Sequence, residues 1–89
     1  MRDISFKPQI KRDFKRMKKR GKDLKKIDVA ARILATVGTL PSQYRPHKLS
    51  GKYEGLWECH LESDWLLIFA VLKKEIVLSR TGSHADLFE

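Results

Sequence analysis

The chain has 89 residues, a formal net charge of +8 and 42% hydrophobic residues. This length excludes a large multidomain enzyme and leaves room for one small domain, residues 1–89. The hydrophobic content excludes a long disordered chain. The start of the chain is polar, and the longest apolar run, residues 65–72, is far shorter than a membrane span. Cys59 is the only cysteine, so no internal disulfide can form. These features predict a cytoplasmic protein with no secretory signal and no membrane segment.

The positive charge is concentrated near the N-terminus. Residues 7–32 contain 12 Lys or Arg and 3 Asp or Glu, a net charge of +9, whereas the remaining residues carry 7 basic and 8 acidic groups, a net charge of −1. A basic block of this density attracts phosphate groups and releases their counterions. It predicts a nucleic acid or an acidic protein as partner, with a solvated, lysine-rich helix face as the simpler alternative.

The first predicted elements are a short strand and a basic helix. Residues 3–6 alternate polar and apolar, as a strand does, and Pro8 suits the first turn of a helix that Gly21 ends. An apolar stripe at helical spacing is formed by Ile10, Phe14 and Met17. The other faces carry cations that we expect to contact the phosphate backbone of a nucleic acid: Lys11, Arg12, Lys15, Arg16, Lys18 and Lys19.

A second helix is predicted directly after the first. Asp23 can cap its N-terminus, and Gly38 ends it, with Pro41 beyond. Its predicted apolar face comprises Leu24, Ile27, Ala31, Leu34 and Val37. The short connection predicts an antiparallel helical hairpin whose apolar stripes must pack on another layer.

The C-terminal half predicts that other layer, a sheet. Residues 56–61 alternate in polarity, residues 65–72 are continuously apolar and suit a central strand covered on both faces, and residues 75–80 form a third strand. Residues 40–55 predict a loop, and residues 83–88 predict a short tail or helical turn. The predicted order is β-α-α-β-β-β, an α+β fold in which the helical hairpin packs on a twisted antiparallel sheet.

All three histidines lie in this C-terminal half and are candidates for acid–base chemistry. RNA cleavage without a metal needs a base that takes the proton of the 2′-hydroxyl and an acid that protonates the leaving 5′-oxygen. Histidine can do either near neutral pH. We expect His84 to be the acid and His47 or His60 the base. The turn between the first two sheet strands brings Asp64 close to His60.

Other residues could contact the substrate. Arg80 could stabilise negative charge on the phosphorane, and Trp65 or Phe88 could stack on a base. Each aromatic residue also suits the core, and Asp64 also suits a turn. The histidines could instead be structural, or could bind zinc with Cys59. No pair shows CxxC or HxxxH spacing, so we expect neither a metal nor a cofactor.

Three segments in this order resemble one known family. They are H-x-L-x-G at residues 47–51, H-x-x-x-D-W with four further apolar residues at 60–69, and R-x-G-S-H-x-x-L-F at 80–88. With the preceding strand and two basic helices, they are similar over the whole chain to the YafQ branch of the RelE/ParE toxin superfamily. One departure is Phe69, where relatives often carry Tyr, inside a predicted strand.

The resemblance implies a RelE-like fold and a metal-independent mRNA interferase, the toxin of a type II toxin–antitoxin system that cuts mRNA on the translating ribosome. The functional residues that it implies are His47, His60, Asp64, Trp65, His84 and Phe88. It also implies a cognate antitoxin with an acidic tail, which we expect to lie along the basic hairpin in a hetero-oligomer whose toxin is monomeric when free. The alternatives are a non-catalytic RNA- or ribosome-binding module and a ParE-like gyrase inhibitor, neither of which needs these histidines.

Overall fold

The computed structural model describes residues 1–89, and its elements follow the predicted order with one addition, a short strand. The helices are α1 (Ile10–Lys19), α2 (Lys25–Val37) and α3 (His84–Phe88). The strands are β1 (Asp3–Phe6), β2 (His47–Lys48), β3 (Trp57–Glu62), β4 (Trp65–Val71) and β5 (Glu75–Gly82). The short strand β2 lies in the segment predicted as a loop, and α3 is the predicted helical turn. No helix has the length and apolarity needed to cross a membrane.

The five strands form one sheet in the order β1-β5-β4-β3-β2. The pairs from β2 to β5 are antiparallel, as predicted, whereas β1 pairs with β5 in parallel, with Asp3 opposite Glu75. The α+β class is confirmed, and the sheet is mixed rather than purely antiparallel. β1 is parallel to β5 because the helical hairpin carries the chain to the far edge of the sheet, from which three reversals bring it back alongside β1.

One face of the sheet packs against α1 and α2. The α1 stripe is confirmed, with Ile10 and Met17 buried and Phe14 half-buried. The central strand β4 contributes Trp65, Leu67 and Phe69 to this face. Each such side chain contributes about 1.5–3 kcal/mol when fully buried. Val37 was predicted to belong to the apolar face of α2 but is 61% exposed, because the buried stripe of α2 continues through Ala35 instead.

The opposite face of the sheet carries a smaller cluster. Side chains alternate along β4, so Leu66 and Ile68 point away from the helical hairpin and pack with Tyr53 and Leu87. The hydroxyl of Tyr53 donates a hydrogen bond to the carbonyl of Leu87 at 2.9 Å. The prediction that β4 is covered on both faces is therefore confirmed, and α3 is held on the face opposite the hairpin.

A buried charge on α1, absent from the sequence-based predictions, joins the hairpin to the end of β5. Asp13 is 1% exposed. Its Oδ2 accepts hydrogen bonds from Nε of Arg80 at 2.8 Å and from the backbone N–H of Thr81 at 3.1 Å, and its Oδ1 accepts from Arg16. A buried carboxylate needs such partners, since losing one of them leaves an uncompensated charge in the core.

Candidate active site

Two of the three histidines lie on either side of a buried carboxylate. Strand β2 pairs with β3 so that His47 is opposite Glu58, and His60 is two residues further along β3. Oε1 of Glu58 lies 3.2 Å from Nε2 of His47 and 3.9 Å from Nε2 of His60. The two imidazole centroids are 6.5 Å apart. Glu58 is only 6% exposed, so its carboxylate interacts with the two imidazoles in surroundings from which bulk water is largely excluded.

Arg45 contacts both of these histidines and sets the tautomer of His47. Its Nη2 lies 3.2 Å from Nδ1 of His60, and its carbonyl oxygen lies 3.0 Å from Nδ1 of His47. A guanidinium can only donate and a carbonyl can only accept. Nδ1 of His47 therefore carries the proton that the carbonyl of Arg45 accepts. Nδ1 of His60 lies between a donor, Arg45, and an acceptor, the carbonyl of Ser63, so its surroundings fit either tautomer. In both residues Nε2 is the nitrogen that faces Glu58.

The third histidine is on α3, together with the near-terminal aromatic residue. His84 and Phe88 are four residues apart on one face of α3, and their ring centroids are 5.0 Å apart. Phe88 also packs edge-on against Tyr53 at 5.4 Å and remains 37% exposed. The side chain of His84 is 68% exposed. One side of Phe88 thus packs against Tyr53 of the smaller cluster, and the rest of the ring is accessible to solvent.

Asp64 binds the start of α3 rather than an imidazole. Its Oδ1 accepts a hydrogen bond from the backbone N–H of His84 at 2.9 Å. The preceding residue, Ser63, has its carbonyl oxygen 3.4 Å from Nδ1 of His60. The β3–β4 turn therefore lies between His60 and His84, and it contacts the first through Ser63 and the second through Asp64. No hydrogen bond or ring contact joins His84 to His47 or His60.

Two predicted substrate contacts need correction. Trp65 is 0% exposed on the helix-covered face, where its Nε1 donates to Oγ1 of Thr81 at 2.9 Å, so it cannot stack on an RNA base. The guanidinium of Arg80 is engaged by Asp13, whose hydrogen bond raises the pKa of Arg80 above its ordinary value. The positive charge of Arg80 is therefore already compensated. The exposed cation beside the imidazoles is Arg45.

Sequence reasoning thus missed Glu58 and Arg45. The alternation of β3 places Glu58 on the same side as His60, which is the signal that could have identified it. Arg45 has no such signal, because its contact depends on a left-handed backbone, with φ of 48°, after the turn at Ser42–Tyr44. Cys59 lies on the side of β3 opposite to His60, and burial raises the pKa of its thiol to about 12. It is therefore an inert core residue.

The structure places most of the predicted docking cations on the surface of α1. Five of the six are exposed and form no ion pair: Lys11, Arg12, Lys15, Lys18 and Lys19. Arg16 differs, because it is paired with Asp13 and its Nε lies 3.7 Å from Oδ2 of Asp86. Its assignment to the RNA backbone is corrected, because Arg16 is half-buried and its guanidinium is held by the carboxylate of Asp13, which it shares with Arg80.

Comparison with known proteins identifies the family. Residues 2–89 match the family described as the bacterial toxin of type II toxin–antitoxin system, YafQ. The chain is 38% identical over 88 residues to the mRNA interferase toxin YafQ of Escherichia coli K12, covering 98% of this chain and 96% of that protein. It superposes on YafQ in the E. coli DinJ–YafQ complex with a TM-score of 0.88, at 36% identity and full coverage of both chains.

A further similar structure is a metal-bound toxin from Helicobacter pylori, with a TM-score of 0.89, 36% identity, and coverage of 99% of this chain and 100% of that one. In the present chain no group of three or more His, Cys, Asp or Glu residues is arranged to hold a metal ion. The identity over nearly the full length of both proteins exceeds what fold similarity alone produces. The chain belongs to the YafQ toxin family of type II toxin–antitoxin systems.

Proposed function

We propose that this chain is a metal-independent mRNA interferase that cuts mRNA on the translating ribosome. The observation that supports this most strongly is the buried Glu58 carboxylate between Nε2 of His47 and Nε2 of His60. Histidine side chains can take up and release protons in catalysis, and here a buried carboxylate lies beside two of them. The activity of the E. coli YafQ relative, an mRNA interferase, agrees with that chemistry.

The proposed reaction is a transesterification within the RNA. The 2′-hydroxyl oxygen attacks the adjacent phosphorus and loses its proton to His47 or His60, with Glu58 stabilising the imidazolium. The bond from phosphorus to the 5′-oxygen breaks, and His84 donates a proton to that leaving oxygen. The products are a 2′,3′-cyclic phosphate and a 5′-hydroxyl, and no redox partner or metal is needed.

The remaining site residues would position the RNA. Arg45, exposed beside His60, is placed to stabilise charge on the phosphorane. The exposed surface of Phe88 suits stacking on a base, while its contact with Tyr53 limits its motion. Asp64 would act by fixing the backbone of His84. The five exposed cations of α1 would bind ribosomal RNA phosphates without reading sequence.

We also propose an acidic antitoxin as the partner of this toxin, in the cytoplasm. E. coli YafQ crystallises with DinJ. In the present chain the net charge of residues 7–32 is +9, and that of the rest is −1. Electrostatic complementarity therefore favours an acidic segment along α1 and α2 and would speed its association. Charge reversal at Lys15, Lys18 and Lys19 should slow association more than His84→Ala does, as measured at low and physiological salt.

The test of the proposed activity uses ribosomes programmed with a defined mRNA. Wild-type protein should produce fragments with cyclic phosphate and 5′-hydroxyl ends, and a 2′-deoxy nucleotide at the cleaved position should stop cleavage, because it removes the nucleophile. Cleavage through that nucleotide would refute the mechanism. Loss of activity in a chelator on intact ribosomes, with recovery on adding one metal, would refute metal independence. Ribosome binding with translation arrest but intact mRNA would favour a binding module, and a DNA-damage response in cells would favour a gyrase inhibitor.

A further inference from the structure

Helix α3 carries His84 and Phe88, and its position depends on contacts with other elements. It has five residues, too few to be stable alone. From the sheet side it is held by the buried side chain of Leu87, by the hydrogen bond from Tyr53 to the carbonyl of Leu87, and by the hydrogen bond from His84 to Asp64. One further contact comes from the C-terminal end of α1.

That contact is a bidentate ion pair. Arg20 directly follows α1, and its Nη1 and Nη2 lie 2.6 Å and 3.0 Å from Oδ2 and Oδ1 of Asp86 on α3. Two parallel charge-assisted hydrogen bonds fix both distance and orientation. The side chain of Asp86 is only 14% exposed, although that of Arg20 is 43% exposed. Because the carboxylate is shielded from solvent, this pair contributes more to holding α3 in place than a pair between two exposed side chains would.

Asp86 is also the N3 residue of a capping box in which Ser83 is the N-cap of α3. Its Oδ2 accepts a hydrogen bond from the backbone N–H of Ser83 at 2.8 Å, and its own N–H donates to Oγ of Ser83 at 3.1 Å. Gly82 permits this approach, because a Cβ at that position would lie 2.9 Å from Cβ of Asp86. One carboxylate therefore joins the cap of α3 to the end of α1. The hydrogen bond from Arg20 holds the pKa of Asp86 well below its ordinary value, which keeps the pair charged.

We propose that Arg20 is a positioning residue that holds α3 through Asp86, so that His84 and Phe88 face the reaction site. Arg20 belongs to the basic block by sequence, but both of its terminal nitrogens are bound to Asp86. It therefore differs from neighbouring Lys19, which is exposed and forms no ion pair. The inference rests on the proposed role of His84.

Hydrogen exchange tests the position of α3 independently of activity. The amide of Leu87 donates to Ser83, and the amide of Glu89 donates to Ala85. Arg20→Met should speed exchange at these two amides by roughly tenfold, and Asp86→Asn by at least as much, because it also alters the cap. The double variant should match Asp86→Asn, because the pair with Arg20 is already lost in that variant. Arg32→Met is the matched control, since it breaks an exposed pair with Asp28 on α2 and should leave both amides unchanged. Unchanged exchange in Arg20→Met would overturn the proposal.

Kinetics on the programmed ribosome then separate positioning from docking. Arg20→Met should lower kcat by roughly tenfold with little change in KM, and Arg20→Lys should recover part of the loss, because it keeps the charge without the bidentate geometry. Lys19→Met should instead raise KM and reduce the salt dependence of binding by about one slope unit. A rise in KM alone for Arg20→Met would make Arg20 a docking cation and overturn the proposal. If wild-type protein cleaves no RNA, the proposed function fails, while hydrogen exchange still decides whether Arg20 holds α3.

Discussion

The two faces of the sheet differ in what they bury and in what they expose. The face covered by α1 and α2 belongs to a cluster of 14 buried residues, whereas the opposite face belongs to a cluster of 4. The register pairs Glu58 with Ile68 and His60 with Leu66, which puts the candidate catalytic groups of β3 on the less buried face. Successive side chains of a strand point to opposite sides of the sheet, so the main core lies on one face and the candidate catalytic groups lie on the other.

The largest expected effect is on the helix-covered face. Phe69 is 1% exposed within the main core. Phe69→Ala should lower the free energy of unfolding by about 3–5 kcal/mol, because it removes apolar contacts and leaves a cavity. Denaturant titration measures this, with the exposed Val37→Ala as control, which should change stability by less than about 0.5 kcal/mol. Equal effects of the two variants would contradict the assignment of the core.

The opposite face should respond in activity rather than in stability. His84→Ala should lower the single-turnover cleavage rate about 100-fold or more, equivalent to about 2.7 kcal/mol, because it removes the proposed acid. Its unfolding free energy should stay within about 0.5 kcal/mol of wild type, since the side chain is 68% exposed. Gln43→Ala, on an exposed turn, is the matched control. A near wild-type rate for His84→Ala would remove this histidine from the mechanism.

A substitution at Trp65 tests whether this residue belongs to the core of the helix-covered face or contacts the substrate. Trp65→Phe keeps an aromatic ring but loses the hydrogen bond to Thr81. It should therefore cost at least about 1 kcal/mol of stability, from the lost hydrogen bond and the cavity that the smaller ring leaves, while leaving cleavage unchanged. Thermal unfolding and the single-turnover rate measure the two quantities. A large fall in rate with unchanged stability would restore Trp65 as a substrate contact.

Acid should act on the ion pairs that tie the helices to the rest of the chain. Hydrogen bonds lower the pKa of Asp86, from Arg20, and of Glu62, from Lys22 and Lys26. Each of these carboxyl groups has a lower pKa in the folded state than in the unfolded state. At a pH above the unfolded-state pKa, the ionised group therefore stabilises the folded protein. This stabilisation is lost as the pH falls through the folded-state pKa. Stability should therefore decline below about pH 4. In Asp86→Asn the decline should be shallower, and an unchanged acid profile would contradict this origin.

Sequence patterns predicted the elements of the helix-covered face because those elements are set by local periodicity. The stripe at Ile10 and Met17 and the continuous run of β4 needed only spacing and hydrophobicity. The end of α2 at Gly38, with φ of 79°, followed from the left-handed conformation that glycine adopts readily. The direction of β1 could not be predicted in this way, because it depends on how the whole chain is routed.

The candidate site was predicted less completely, because its contacts are not local. The histidines were identified by chemistry and by family resemblance. The involvement of Glu58 depends on the two-residue strand that carries His47, and no periodic pattern reveals so short a strand. Asp13 stands among cations in the sequence, and only the packing of α1 on β5 shows that it takes up the charge of Arg80. Counting charges therefore overstates how many cations are free.

The parallel pairing of β1 with β5 also constrains how the chain folds during its synthesis. Asp3 and Glu75 are partners in this ladder although nearly the whole chain lies between them. The N-terminal strand must therefore wait for β5 to emerge before its backbone groups are paired, and closing such a long loop slows folding. The helix that carries His84 follows β5 directly. The nascent chain thus gains its complete sheet and its proposed general acid only after β5 and α3 have been synthesised.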